Sequence, residues 1–345
     1  MDVMHRQQLR SVQPDNIPLP DWPTFGLVDD VRPFLFRAAK TGTRVALATL
    51  VETTAGGPRP PGTQMAVTAD AVAGSVWGGC VDGDVVANAR LSIASGEARL
   101  LAYGEGSPYF DIQLQCGGRI EILLEPLHPE EPALVRLAEL TGNREPALWL
   151  SDRTAPLCLG NGDVPPPQWQ DVFDAAKTSA SICGRGGATS YWRAFLPPPR
   201  VFVLGRDPVA LAVLQLASQA GFETVLVRKN GPIDPPAIPV THYWRGAAID
   251  AFSRYGLDSR TAVLVLGHEV EDADDALAAA LRSTASYVGV MGAKRHRAGR
   301  LRHLEDCGVP EHVAARLKSP IGVPIGSKAP WAVAVSVLAD LMSTF

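Results

Sequence analysis

Cysteine is scarce in this chain: the five present (Cys80, Cys116, Cys158, Cys183 and Cys307) are odd in number and scattered over 345 residues. That spacing describes no disulfide framework and fits a reducing compartment, so a cytoplasmic address is expected. Long apolar runs are missing as well. The longest, Ala329–Met342, holds Trp331 and Asp340 and is too short for a bilayer core of about 30 Å. The opening Met1–Arg10 has no apolar centre, so no secretory signal is expected. Charge of one sign is not in excess either. A net charge of −4 gives no global pull toward nucleic acid or an anionic membrane, and neither is expected as a partner.

What is present is ordinary in bulk, with 46% apolar and 20% charged residues. The length calls for two domains. Residues 1–28 carry Pro14, Pro18, Pro20 and Pro23 and read as an extended arm. Residues 29–128 read as a small α/β domain. Within it Thr43–Thr53 is apolar at both alternations, as a central strand is. Residues 129–199 read as a proline-rich connecting region, punctuated by Pro165–Pro167 and Pro197–Pro199, with a helix at Pro132–Leu140 and a strand at Ala147–Leu150. From residue 200 to 345 short apolar strands alternate with amphipathic helices, the pattern of a Rossmann-like parallel sheet covered on both faces. The last helix, near Pro330–Met342, is mostly apolar and should be buried or at a subunit contact.

The densest chemistry lies in Gly74-Ser75-Val76-Trp77-Gly78-Gly79-Cys80-Val81-Asp82-Gly83-Asp84. A strand leads into a double glycine, and a helix follows, with Val85, Val86, Ala89 and Ile93 at helical spacing. Gly96 sits just past its end, where a C′ glycine belongs. Gly78 and Gly79 let ligand atoms approach the backbone. A thiol at a helix N-terminus has its thiolate favoured by the dipole, while Asp82 and Asp84 oppose that, and the sequence leaves the balance open. Gln115-Cys116-Gly117-Gly118 repeats a cysteine beside two glycines in the same domain. Ahead of both, the loop Ala55–Gly62 with Arg59 is a connector or a second place to meet an anion.

In the second domain, Gly205-Arg206-Asp207-Pro208-Val209-Ala210 follows a strand and opens a helix, as a dinucleotide turn does. Asp207 stands where the second glycine belongs. A carboxylate about 4 Å from a phosphate is repelled by about 4 kcal/mol at an effective dielectric of about 20. Asp207-Pro208 makes instead a good N-cap and N1 pair. Arg228-Lys229 replaces the acid that would hold ribose hydroxyls. NAD(P) is therefore not the expected cofactor. Gly292-Ala293-Lys294-Arg295 opens a basic helix beyond another strand and reads as an anion site or as a solvated basic face. His268, with Glu269 and Glu271 beside it, reads as a loop histidine. Cys158, Cys183 and Cys307 read as structural.

Four ordered motifs carry a resemblance. Gly74–Gly83 looks like the signature of the XdhC/CoxI family, and Cys116-Gly117-Gly118-Arg119-Ile120-Glu121 is similar to its second motif. Tyr287–Arg295 and Pro320–Gly326 resemble its carboxy-terminal ones. The family comprises accessory proteins of xanthine dehydrogenase and related molybdenum hydroxylases. The resemblance implies an XdhC/CoxI-like N-terminal domain and a protein that binds the molybdenum cofactor (molybdopterin) without being a catalyst itself. It implies protection of that cofactor during sulfuration by a cysteine desulfurase, insertion into an apo molybdenum hydroxylase, and a homodimer. Cofactor contacts implied are Gly78, Gly79, Cys80, Asp82, Cys116, Gly117, Gly118, Gly292, Lys294 and Arg295, with Cys80 touching molybdenum. Asp82 stands where the family usually has glutamate, and three departures stand out: Trp77 replaces a small residue, Asp207-Pro208 disrupt the family's Gly-x-Gly-His turn, and Arg228 replaces its acidic residue after the second strand. Trp77 either stacks on the ligand or narrows the site. The competing reading is an NAD(P)-dependent oxidoreductase using the C-terminal domain.

Overall fold

The computed structural model describes residues 19–54, 57–104, 114, 118–186, 189–267 and 272–345. The chain forms two compact units, Met1–Leu196 and Pro197–Phe345.

Unit 1 runs α1 (Arg32–Lys40), β1 (Val45–Thr53), β2 (Gln64–Val67), β3 (Val72–Gly74), α2 (Asp82–Ser95), β4 (Arg99–Gly104) and β5 (Arg119–Leu127). These five strands form one antiparallel sheet in the order β3-β2-β1-β5-β4. β1 is central, as its two apolar faces predict. Ala46, Ala48 and Leu50 pack on one side with Val85, Val86 and Ala89 of α2. Val45 and Leu47 pack on the other with Leu35 and Ala38 of α1. Gly96 ends α2 in the left-handed region, at φ 73°.

The stretch read from its prolines as a connecting region has a sheet of its own. It holds α3 (Pro132–Gly142), β6 (Ala147–Ser151), β7 (Leu157–Gly160), α4 (Gln170–Thr178), β8 (Cys183–Arg185) and β9 (Tyr191–Phe195). The four strands pair antiparallel in the order β7-β6-β9-β8. Their prolines mark the turns, and strands of three to five residues leave too little alternation to read. Trp149, Cys158 and Phe195 of this sheet share the core of α1 and α3.

Unit 2 is a five-stranded parallel sheet in the order β12-β11-β10-β13-β14. Its elements are β10 (Arg200–Leu204), α5 (Pro208–Gln219), β11 (Glu223–Val227), β12 (His242–Trp244), α6 (Ala248–Tyr255), β13 (Thr261–Val265), α7 (Ala273–Arg282), β14 (Tyr287–Val290), α8 (Arg297–Asp306), α9 (Glu311–Ala314) and α10 (Pro330–Met342). Val201 and Val203 pack toward α5 and α10, Phe202 and Leu204 toward α6 and α7. β12 escaped the sequence reading because it is a three-residue edge strand, only half-buried. The Pro320–Gly326 motif serves this frame. Lys318 adds to the edge of β14 by two backbone hydrogen bonds with Val288 and Val290, and Ser336 of α10 donates to the Val323 carbonyl. Helix α10 buries Ala334, Val337 and Leu341 and leaves Trp331, Val335 and Met342 exposed. Among the described residues no helix is long and apolar enough to cross a membrane.

Candidate functional site

Antiparallel pairing places three connections of unit 1 at one end of its first sheet. β1 leaves at Thr53, opposite Ile120, and β4 leaves at Gly104, opposite Arg119. β3 leaves at Gly74, opposite Met65 near the start of β2. The 54–63 connection, the 75–81 turn with Cys80 and the 105–118 connection therefore emerge together. Gly118, the described end of the second cysteine–glycine motif, enters β5 at the same sheet end at which β3 leads into the Cys80 turn. Cys116 and Gly117 lie outside the described residues. Their neighbours are fixed: Leu114 packs in the α2 core, and the Gly118 carbonyl rests against Gly104.

Asp82 builds the 75–81 turn. It is the first residue of α2 and is only 2% exposed. One carboxylate oxygen accepts the amides of Val76 and Trp77, each at 3.2 Å, and the other accepts the Ser75 hydroxyl. Ser75 Oγ in turn accepts the Gly78 amide at 3.0 Å. A buried carboxylate pays its desolvation only through such bonds, so Asp82 shapes the loop from below rather than facing outward. Asp84, two residues on, accepts the Tyr103 hydroxyl at 2.6 Å and ties α2 to β4. Trp77 is 2% exposed and belongs to the α2 core, its ring lying against the backbone of Gly57. It neither stacks on a ligand at the surface nor narrows the opening. It is the floor beneath Gly57.

Above that floor the tip is open. Gly78 and Gly79 have φ of 90° and 119°, and a Cβ on either would meet nothing within 4 Å. The turn needs glycine for its backbone angles, and the same absence of side chain leaves the backbone at Gly79 approachable, the Gly78 amide being held by Ser75. Gly79→Ala is expected to cost about 1–2 kcal/mol through strain alone, measurable as a lowered urea midpoint with unchanged slope. Cys80 follows as an exposed thiol at the start of α2.

The rim of this end is charged on both signs. Arg119 and Arg185 both reach Glu121, Arg119 at 2.9 Å, and Arg185 also meets Glu52 at 2.8 Å. Thr54 and Arg119 exchange backbone and hydroxyl hydrogen bonds, which closes the mouth between β1 and β5. Arg185 and Glu52 escaped sequence reasoning, since they come from distant strands. Arg119 and Glu121 were visible only as flanks of the second cysteine motif. Arg59, in the loop weighed above as an anion contact, is held by Asp29 at 2.7 Å and by the Gly26 carbonyl.

In unit 2, Gly292 sits past the carboxyl end of β14, and Lys294 and Arg295 follow on a single helical turn, Lys294–His296. Arg295 is exposed and donates to the His296 ring at 3.2 Å. His268, Glu269 and Glu271 lie outside the described residues. Cys158 and Cys183 are buried, and burial pushes their thiols up to about 12 and about 11, which makes both inert at neutral pH. Cys307 is exposed, 3.8 Å from the His303 ring. Among the described residues no group of three or more metal-ligating side chains comes together.

Fold and site define a two-unit α/β protein with a cysteine–glycine turn on an antiparallel sheet, followed by a Rossmann-like unit. Residues 38–104 match the model of the XdhC and CoxI family, and residues 201–341 that of the XdhC Rossmann domain. The chain belongs to this family. It is 29% identical over 322 residues to the molybdenum cofactor insertion chaperone PaoD of Escherichia coli strain K12, covering 92% of this chain and 89% of PaoD. The uncharacterized protein YqeB of the same organism is 30% identical over 150 residues, 42% of this chain and 27% of YqeB. A crystal structure described as a xanthine dehydrogenase from Bacillus halodurans shares the fold at TM-score 0.71 and 20% identity, over 91% of this chain and 95% of that one.

Proposed function

We propose that this chain binds the molybdenum cofactor as cargo at the Cys80 end of unit 1 and serves its insertion into a molybdenum hydroxylase of the xanthine dehydrogenase type. The observation that carries this reading is the similarity to PaoD along nearly the whole length of both chains. The site supports it chemically. An exposed thiol next to two glycines with open space above them offers a soft donor to molybdenum or its terminal sulfur. The Gly79 backbone amide and the start of α2 suit phosphate or pterin oxygens. Asp82 acts through the loop it holds, and Cys116, Gly117 and Gly118 supply the second wall. Gly292, Lys294 and Arg295 are reserved for an anionic part of the cargo or of the client.

The finer reading follows the family. The cofactor is shielded while a cysteine desulfurase sulfurates it, the chain works as a homodimer in the cytoplasm, and it turns over no substrate itself. The test is direct. Purified parent protein and Cys80→Ala are mixed with molybdenum cofactor, and retained cofactor is counted by pterin fluorescence after gel filtration. The parent should retain it, and the variant should bind at least roughly ten- to hundredfold more weakly, the cost of losing even an outer-shell partner of a metal ligand. No retention by the parent, or equal retention by both, sinks the reading.

A further inference from the structure

The carboxyl end of the parallel sheet in unit 2 is where a Rossmann-like fold takes a dinucleotide, in the crevice where the strand order reverses. Here that point lies between β10 and β13, since β10 is flanked by β11 on one side and β13 on the other. The turn leaving β10 keeps half of what such a site needs. Gly205 is packed so closely that a Cβ would collide with the Leu266 carbonyl and crowd Ala210. The close approach of turn, helix and neighbouring strand has thus been retained.

The other half has been turned inward. Asp207 is the N-cap of α5, in extended backbone, and its Oδ1 accepts the Ala210 amide at 2.9 Å. Pro208, at the first helical position, has no N–H to offer. The Leu211 amide goes to the Asp207 carbonyl at 3.3 Å. Of the amides at the helix start, at most that of Val209 is left for an incoming anion. A pyrophosphate binds at such a helix start through these same amides and the positive end of the dipole. Past β11, the other cofactor contact is likewise spent. The Arg228 amide donates to the Trp244 carbonyl, its side chain packs on Gly231, and Lys229 pairs with Asp272 at 3.2 Å.

We propose that Asp207 is a specificity residue: its carboxylate stands in for the phosphate of a dinucleotide, so that the Rossmann-like unit keeps the fold and excludes NAD(P)-type ligands. This goes beyond the function proposed above and rests on unit 2 alone. It also explains the coexistence of a sound fold with a departed turn sequence. The residue that breaks the fingerprint repairs the helix start it would otherwise leave uncapped.

The test titrates the full-length protein with NADPH, followed by its fluorescence and by calorimetry. Two variants accompany the parent. Asp207→Gly frees the Ala210 amide and removes the charge, and glycine at an N-cap costs only a few tenths of a kcal/mol. Asp207→Asn keeps the cap and removes only the charge. The parent should show no saturable binding up to about 1 mM, and Asp207→Gly should bind at least about tenfold more tightly than the parent. Saturable binding by the parent overturns the proposal. So does an Asp207→Gly protein that unfolds at the parental temperature and gains nothing. Should that variant not fold, the decision passes to Asp207→Asn, where a gain supports the proposal and none overturns it.

Discussion

Replacing Glu125 by glutamine is expected to stabilise unit 1 at pH 8 by about 3 kcal/mol and to flatten its pH dependence below neutrality. Glu125 lies on β5 and is 4% exposed. It lines a cavity of about 10 Å³ between the two sheets, room for about one water centre. Burial pushes its carboxyl up from 4.5 to about 7, against the hydrogen bonds of Ser151 and Trp149. The charges of Glu131 and Asp152 push the same way. From β8 and β9, Cys183, Tyr191 and Arg193 also line the cavity. Arg193 is itself desolvated, its pKa lowered to about 10, and its Nε donates to the Gly62 carbonyl at 2.8 Å.

The sign follows from which state holds the proton. The folded chain keeps Glu125 protonated up to about pH 7, whereas the unfolded chain releases that proton above 4.5. Stability is full below 4.5 and falls as pH rises through the window, at about 1.4 kcal/mol per pH unit. Glutamine carries no proton to lose and can still accept from Trp149 Nε1, now 3.2 Å from the carboxylate. Urea unfolding of parent and Glu125→Gln at pH 5, 6, 7 and 8, followed by tryptophan emission, decides the matter. A parent whose stability is flat or rises over this range would falsify the assignment.

The same pair of sheets shows where sequence reasoning reaches and where it stops. β1 was legible because both of its faces are apolar, and α2 because its apolar spacing, its acids and Gly96 agree. The Rossmann-like unit was legible because parallel strands buried on both faces read as short apolar runs. Glu125 was not legible, since a glutamate in Glu121-Ile122-Leu123-Leu124-Glu125 reads as the polar side of a strand until a second sheet covers it. That second sheet was hidden because its strands are short and separated by proline turns. Trp77 illustrates the reverse error. Its place in the signature invited a ligand role, but its burial against Gly57 reveals that its ring is floor. Asp82 was seen as a charge beside a thiol, yet its burial turns it into a scaffold.

That scaffold role gives the second large effect. Asp82→Ala is expected to destabilise unit 1 by about 3 kcal/mol, because it strands the Val76 and Trp77 amides and the Ser75 hydroxyl in a buried site. For a unit of this size that is a fall of roughly 6–12 °C in thermal midpoint. Asp82→Asn separates geometry from charge. Its carbonyl can still accept both amides, while its NH2 turns the Ser75 hydroxyl into an acceptor, so the loss should be about 1 kcal/mol. Cofactor retention should follow loop order and not carboxylate charge. Asp82→Asn should keep most of it, and Asp82→Ala should lose it even at temperatures where unit 1 is still folded. The opposite ranking, with retention lost in Asp82→Asn and kept in Asp82→Ala, would mean that the carboxylate itself meets the ligand. That would move Asp82 from beneath the turn to its face, and the 2% exposure found here argues against it.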